Sequence, residues 1–385
     1  MEGCKIKIDI LKENFIDPKT AQKNTIIHIH TGIFSNTPGM SRWRGINLGK
    51  PMSIYDLNGE LLFYDFPIID LRRRKIGLAR ACANKVLGLP VLTTYMNYPI
   101  LNFRKAVRRA REIVYKMFKT KTIEIIPICY AYPKIGIAAK WKTKEEQGQL
   151  IVDVSDYSVV EGPVKSEARG PGTWSMYENI QIKDVQAAVK RYESYNQFTE
   201  EVQKRTGLRL DARIYLKDFN RIQKFLVSVI PFFTTGHLGL NLHGQINNYY
   251  CTCATAQMIL EFHGYNYTQN QIATAMSTTS AGTHWGPEVA GFETLTNNTF
   301  DASTDFSPSF FKAKQEIIQR LPFDYSYLDH SMACSGYREQ LIIPVGGNPE
   351  NSLEIYDPWP VNQGAIRWET WGTETVVGYV YLRPV

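Results

Sequence analysis

The chain has 385 residues, 44% hydrophobic and 21% charged, with a formal net charge of +7. That length suits two cores better than one, and the composition excludes a disordered or fibrous chain. The charge favours acidic partners but is too small to indicate nucleic acid. Six cysteines (Cys4, Cys82, Cys129, Cys251, Cys253 and Cys334) are scattered without a CxxC pair, which argues against a disulfide scaffold. No stretch reaches the roughly 18 continuous apolar residues of a membrane span. The opening MEGCKIKIDILKENFIDPKT is charged where a secretory segment would be apolar. The expectation is a cytoplasmic chain as the sequence stands, or a secreted one if an N-terminal signal has been lost.

In chain order, IIHIHTG places His28 and His30 two apart, which fits either a short alternating strand or a pair of metal ligands. MSIYDLNGELLFYDFPI has two apolar runs around Asn58-Gly59, a hairpin signal. KVLGLPVLTTYM reads as a strand. NFRKAVRRAREIVYKMFK reads as an amphipathic helix with Phe103, Val107, Ala110, Val114 and Met117 on one stripe. TIEIIPICYAY, KIGIAAKW and QLIVDVSDY follow as strands, with Cys82 and Cys129 as core residues. Residues 1–170 therefore form a small α+β domain, one helix on an antiparallel sheet. Arg72, Arg73, Arg74, Lys75 and the basic face of the helix are a solvated surface or a docking surface for an acidic partner.

ARGPGTW, Ala168 to Trp174, reads as a link by its Gly and Pro content. Residues 171–224 are then a helical linker, whose long helix is ended by Gly207. FLVSVIPFF opens a third region, 225–385. There a helix starts at Cys251 and ends at Gly264, Thr268 caps a second helix, and Ser307-Pro308 starts a third. HSMACSGYR, EQLIIPV, SLEIYDPWP, RWETW and ETVVGYVYL then read as strands around a GGNPEN turn. The order is helices followed by antiparallel sheet.

A thiol at the start of a helix feels unpaired N–H groups and the positive end of the helix dipole, both of which favour the thiolate. His330 begins a predicted strand of the sheet that faces this helix, so it is the best-placed base. Asp357 ends the strand SLEIY and can orient that imidazole. Gln245, six residues before Cys251, offers a side-chain donor to a developing oxyanion. Zinc through Cys251, Cys253 and a histidine is disfavoured, because a C-x-C pair lacks the second paired ligands of a structural site.

This set resembles the papain-like cysteine peptidases, most closely the bacteriocin-leader (double-glycine) peptidase-like branch. The resemblance covers Phe225 to Val385. It rests on the Gln245-to-Cys251 spacing, the apolar helix, His330 heading a strand that ends in Gly-Tyr, and the Asp357-Pro358 turn. YDPWPVNQG and MILEFHGYNYTQNQIATAM also look like this branch. It implies an α+β fold with a C-terminal papain-like domain, preceded by the small α+β domain and a long linking helix. It also implies amide hydrolysis without cofactor or metal, with Cys251 as nucleophile, His330 as base, Asp357 as its orienter and Gln245 as oxyanion donor.

The chain departs from many relatives in carrying Thr252-Cys253 where they have Gly-Pro. Asp329, beside His330, is a rival orienting carboxylate. Branch members are often fused to transporters, and nothing here resembles such modules, so a freestanding peptidase acting on a peptide or protein is expected. The first domain is then an inhibitory pro-region, covering the cleft until cleavage near ARGPGTW, or a substrate-docking domain. Two other readings stay open: a non-catalytic binding or surface-assembly protein on a peptidase fold, and an acyl transferase of transglutaminase type.

Overall fold

Asp17 starts the first long helix by accepting the Lys19 and Thr20 backbone N–H groups, with Pro18 in the first turn. This helix, Pro18–Phe34 in a computed structural model, contains the IIHIHTG segment and is buried from Asn24 to Ile33. The strand expectation there fails because burial on every side overrides the β preference of alternating Ile residues. His28 is no metal ligand: its Nδ1 lies 2.6 Å from Glu350 and its Nε2 3.1 Å from Thr94 Oγ1. Among the described residues no cluster of three or more metal-ligating side chains occurs. The structure describes residues 8–120, 123–143, 146–163, 168–180, 184–210, 216–229, 233–340, 350–372 and 376–385. The GGNPEN segment falls largely outside them.

The predicted hairpin forms between Met52–Tyr55 and Leu61–Ile69, with Gly59 at φ 87° in its turn. Lys75–Cys82 and Val91–Tyr95 continue it antiparallel, and Ile123–Ala131, Lys134–Lys142 and Gln147–Asp153 form a second antiparallel run. The two runs meet through a parallel bridge of Tyr55 with Ile128. Helix Phe103–Phe118 lies on the second run and buries Ala106, Ala110 and Val114, while Met117 of the expected stripe is exposed. Helix Val185–Thr206 ends at Gly207, φ 64°, as its C-terminal glycine predicts. FLVSVIPFF does not open a new element: its first five residues finish helix Leu216–Val229.

In the last third, helix Cys251–Phe262 is followed by Gln269–Ala275, which Thr268 starts with a reciprocal capping box to Gln271. Helix Trp285–Leu295 and strands Phe300–Asp305 and Phe323–Ser326 were not anticipated. Ser309 caps helix Phe310–Ile318, so Pro308 precedes the cap instead of opening the helix. The remaining strands are Ser331–Gln340, Ser352–Asp357, Ala365–Thr370 and Gly378–Pro384. The architecture is α+β, with a large, mostly antiparallel sheet.

That sheet runs through both halves of the chain. Ala365–Thr370 pairs with Ser352–Asp357 on one side and with Val91–Tyr95 on the other, placing Trp368 opposite Thr94. Thr93 Oγ1 donates to the Trp368 carbonyl at 3.1 Å, and Trp368 Nε1 to the Pro38 carbonyl at 3.2 Å. One apolar core accordingly includes Leu11, Phe63 and Tyr132 together with Tyr327, Trp359 and Trp368. A second core lies beneath the Cys251 helix and takes in Cys253, Met258, Phe292 and Tyr356. No described helix is long and apolar enough to cross a membrane.

Candidate active site

Cys251 is the first residue of its helix, and the preceding Tyr250 supplies no side-chain cap. The N–H groups of the first turn are thus left to act on the thiol. This helix packs on strands Ser331–Gln340 and Phe323–Ser326. His330 sits at the turn between those strands, where its carbonyl accepts the Tyr327 N–H at 2.8 Å. Ser352–Asp357 pairs antiparallel with Ser331–Gln340, Tyr356 opposite Ala333, and so ends beside His330. His330 Nε2 and Asp357 Oδ1 are 2.7 Å apart, with both side chains fully buried.

Asp357 is itself held. Its Oδ1 also accepts the Trp359 N–H at 2.9 Å, and its Oδ2 faces Arg367 Nε at 3.2 Å. Arg367, likewise buried, pairs with Glu369 at 2.6 Å. Burial would push the Asp357 carboxyl up, but His330 and Arg367 hold it below the usual carboxylate range. Burial opposes charge on His330, yet Asp357 outweighs it and keeps the imidazole above its ordinary value, against repulsion from Lys134. Burial alone would raise the Cys251 thiol, but His330 and Lys134 bring it below its ordinary value. The field of the site therefore favours a thiolate beside an imidazolium.

Asp329 does not compete for the imidazole. Both of its oxygens are occupied, Oδ2 by Lys134 Nζ at 2.7 Å and Oδ1 by Trp174 Nε1 at 2.7 Å. Gln245 is buried in the loop before the helix, its backbone N–H bonded to the Pro358 carbonyl at 3.0 Å and its carbonyl to the Asn362 N–H at 2.8 Å. Its side-chain Nε2 donates to the Asn247 carbonyl at 2.7 Å, leaving the second amide hydrogen for any other acceptor. Cys253 packs in the core with its Sγ 3.3 Å from Thr278 Oγ1, and burial pushes its thiol up to about 12. The two neighbouring thiols thus have opposite electrostatics.

The ARGPGTW segment is not an exposed link. Ala168–Arg169 forms a short strand antiparallel to Thr283–His284, with Arg169 opposite Thr283. It lies over Cys251, whose Sγ is 3.7 Å from the Arg169 carbonyl oxygen. The Arg169 side chain is buried on the Trp285 ring, 3.8 Å from its centroid. Its guanidinium pairs with Glu288, donates to Ser326 Oγ at 2.9 Å and lies 4.0 Å from Asp324. An open cleft of about 300 Å³ borders this strand, lined by Val159, Glu161, Ala168, Pro171, Asn248 and Ser280 among others.

Lys134, Arg169, Glu288 and Arg367 escaped the sequence reading. Arg169 could have been noticed as a lone cation in a Gly/Pro segment, but nothing local marks the other three.

Residues 237–376 match the family model described as "Peptidase_C39 like family". No curated protein matches the chain. Among solved structures, it is similar to the peptidase domain of Streptococcus ComA, a bi-functional ABC transporter involved in a quorum-sensing pathway. That match has 18% identity and a TM-score of 0.28, covering 37% of this chain and 98% of the other. It is also similar to a double glycine motif protease from an AMS/PCAT transporter in complex with the leader peptide. Here identity is 14% and the TM-score 0.30, covering 39% of this chain and 95% of the other. The family match lies wholly within the C-terminal region.

Proposed function

We propose that this chain is a cysteine peptidase working through Cys251, His330 and Asp357. The observation that carries the reading is the 2.7 Å contact between His330 and Asp357 beneath a helix-starting thiol held below its ordinary pKa. The Cys251 thiolate attacks a peptide carbonyl. The Cys251 N–H and the free amide hydrogen of Gln245 hold the oxyanion. His330 protonates the leaving amine and then takes a proton from the water that hydrolyses the acyl-enzyme. Labelling with a small electrophile such as iodoacetamide, followed by peptide mass spectrometry, tests this. Modification at Cys251 should fall about 10²-fold or more in His330→Ala. Rates unaffected by that change would remove the dyad.

The segment Ala168–Arg169 further supports intramolecular inhibition by the N-terminal region, because it covers the thiol. A cut at residue 174 is a poor test, since it also strips Val91–Tyr95 from the sheet. The full-length Arg169→Ala variant leaves the sheet whole. It should react at Cys251 faster than wild type, and equal rates would argue against inhibition. The full burial of Cys251, His330 and Asp357 also favours a second reading, a non-catalytic peptide-binding groove. A Cys251 that stays unreactive in Arg169→Ala would make that reading primary.

A further inference from the structure

The site described above contains a side-chain pocket that the triad does not use. Glu288 from helix Trp285–Leu295, Asp324 and Ser326 from strand Phe323–Ser326, and the Trp285 ring enclose one guanidinium. Burial and the neighbouring Asp324 push the Glu288 carboxyl up while Arg169 pulls it down, so a cationic occupant is what favours the charged form of this pocket. A planar, delocalised cation suits it better than an ammonium, because it stacks on the indole while its edge meets the acids. The backbone that delivers the arginine is extended and adds to Thr283–His284 as an antiparallel strand, the way a bound peptide joins a sheet edge.

The residue after the arginine is constrained as well. A Cβ on Gly170 would overlap the Ala281 backbone carbonyl, and one on Gly282, at φ 99°, would overlap the Arg169 carbonyl. Both glycines let the Arg169-Gly170 main chain lie closely against the Ala281-Gly282 backbone.

We infer that Glu288, Asp324, Ser326 and Trp285 form an arginine-recognition subsite, so the substrate class is an extended peptide containing Arg-Gly, which the chain's own Arg169-Gly170 imitates. The inference rests on the peptidase reading for its chemistry but not for its binding. In the reaction, the thiolate bonds to the arginine carbonyl carbon and the bond to the glycine nitrogen breaks. His330 gives its proton to that nitrogen, and water then cleaves the thioester. The arginine leaves as a carboxylate, thiolate and imidazolium are restored, and the remaining proton goes to solvent.

The test separates binding from chemistry. In full-length Cys251→Ala/Arg169→Ala, checked for a native melting transition, calorimetry measures acetyl-Ala-Arg-Gly-Pro-amide against its Leu-Gly counterpart. The arginine peptide should bind at least ten-fold tighter, and Glu288→Gln should remove most of that preference. Equal affinities, or no binding in a folded variant, would overturn the subsite. If the double variant does not fold, wild-type protein treated with arginyl and leucyl chloromethyl ketone peptides gives the same comparison at Cys251. Equal labelling there overturns the inference. Iodoacetamide labelling that depends on His330 would still leave the peptidase reading standing, whereas arginine-selective binding to an unreactive protein would keep the subsite and remove the peptidase.

Discussion

Cys251 and Cys253 lie two residues apart in one helix, yet burial acts on them to opposite effect. Desolvation raises the Cys253 thiol to about 12, with Cys251 and Glu288 adding to the rise against hydrogen bonds to Thr278 and Thr283. Cys251 faces His330 and Lys134, which overcome the same penalty. Alkylation of Cys251 should therefore rise at pH values below those at which an ordinary thiol ionises. It should hold at high pH, because loss of the proton from His330, itself raised above its usual value, leaves the thiolate in place. The rise belongs to the coupled pair. His330→Ala should move the rise to higher pH, and Lys134→Met should do so to a smaller extent. Stopped alkylation followed by mass spectrometry across pH reads both shifts, and superimposable profiles would contradict the charge argument.

At the scale of elements, His28, Glu350 and Arg338 tie the first long helix to the sheet. Glu350 lies 2.6 Å from His28 and 2.9 Å from Arg338. Burial would raise its carboxyl, but these two neighbours pull it down to about 2. Because the folded value is depressed, the pair stabilises the fold above the unfolded value of 4.5 and loses that stability as pH falls toward 2. Glu350→Gln should lower stability by about 3 kcal/mol at neutral pH, as removal of one partner of a buried ion pair does. It should also flatten the acid side of the stability curve between those pH values. Chemical denaturation at a series of pH values measures both, and an unchanged acid slope would mean the carboxylate is not engaged.

What sequence could reveal at this scale follows from locality. The Asn58-Gly59 turn, the Thr268 cap and the Gly207 stop are set by neighbouring residues, so each can be read from its own stretch. Cys251, His330 and Asp357 could be singled out because each sits at the end of an element whose pattern is clear. Their convergence depends on strand register, which the pattern only suggests. His28 and His30 were misread as part of a strand because alternation over four residues does not reveal burial on every side. ARGPGTW was misread for a different reason: glycine signals a turn, but here Gly170 permits contact with a backbone more than a hundred residues away. Lys134 acts through a pairing with Asp329 that is also remote in sequence, whereas Arg367 reaches Asp357 through the pairing of adjacent strands.

At the scale of the whole molecule, the pairing of Ala365–Thr370 with Val91–Tyr95 makes the two halves one sheet over a shared core. Unfolding should therefore pass through one cooperative transition, with tryptophans of both halves, such as Trp43 and Trp368, reporting the same midpoint. Trp368→Ala should destabilise by about 3–5 kcal/mol, since it empties a buried site at that junction. Two separated calorimetric transitions in wild type would show that the halves fold independently.

The continuous sheet also decides what breaking the backbone between Arg169 and Gly170 would accomplish. The pieces would not come apart, because Val91–Tyr95 in one remains hydrogen-bonded to Ala365–Thr370 in the other. Lys134 would still face Asp329 across the break and keep its influence on the thiol. Such a nicked molecule would run as one species on a native gel and as two bands once denatured. Such a cut would free a chain end at the cleft without shedding the N-terminal region.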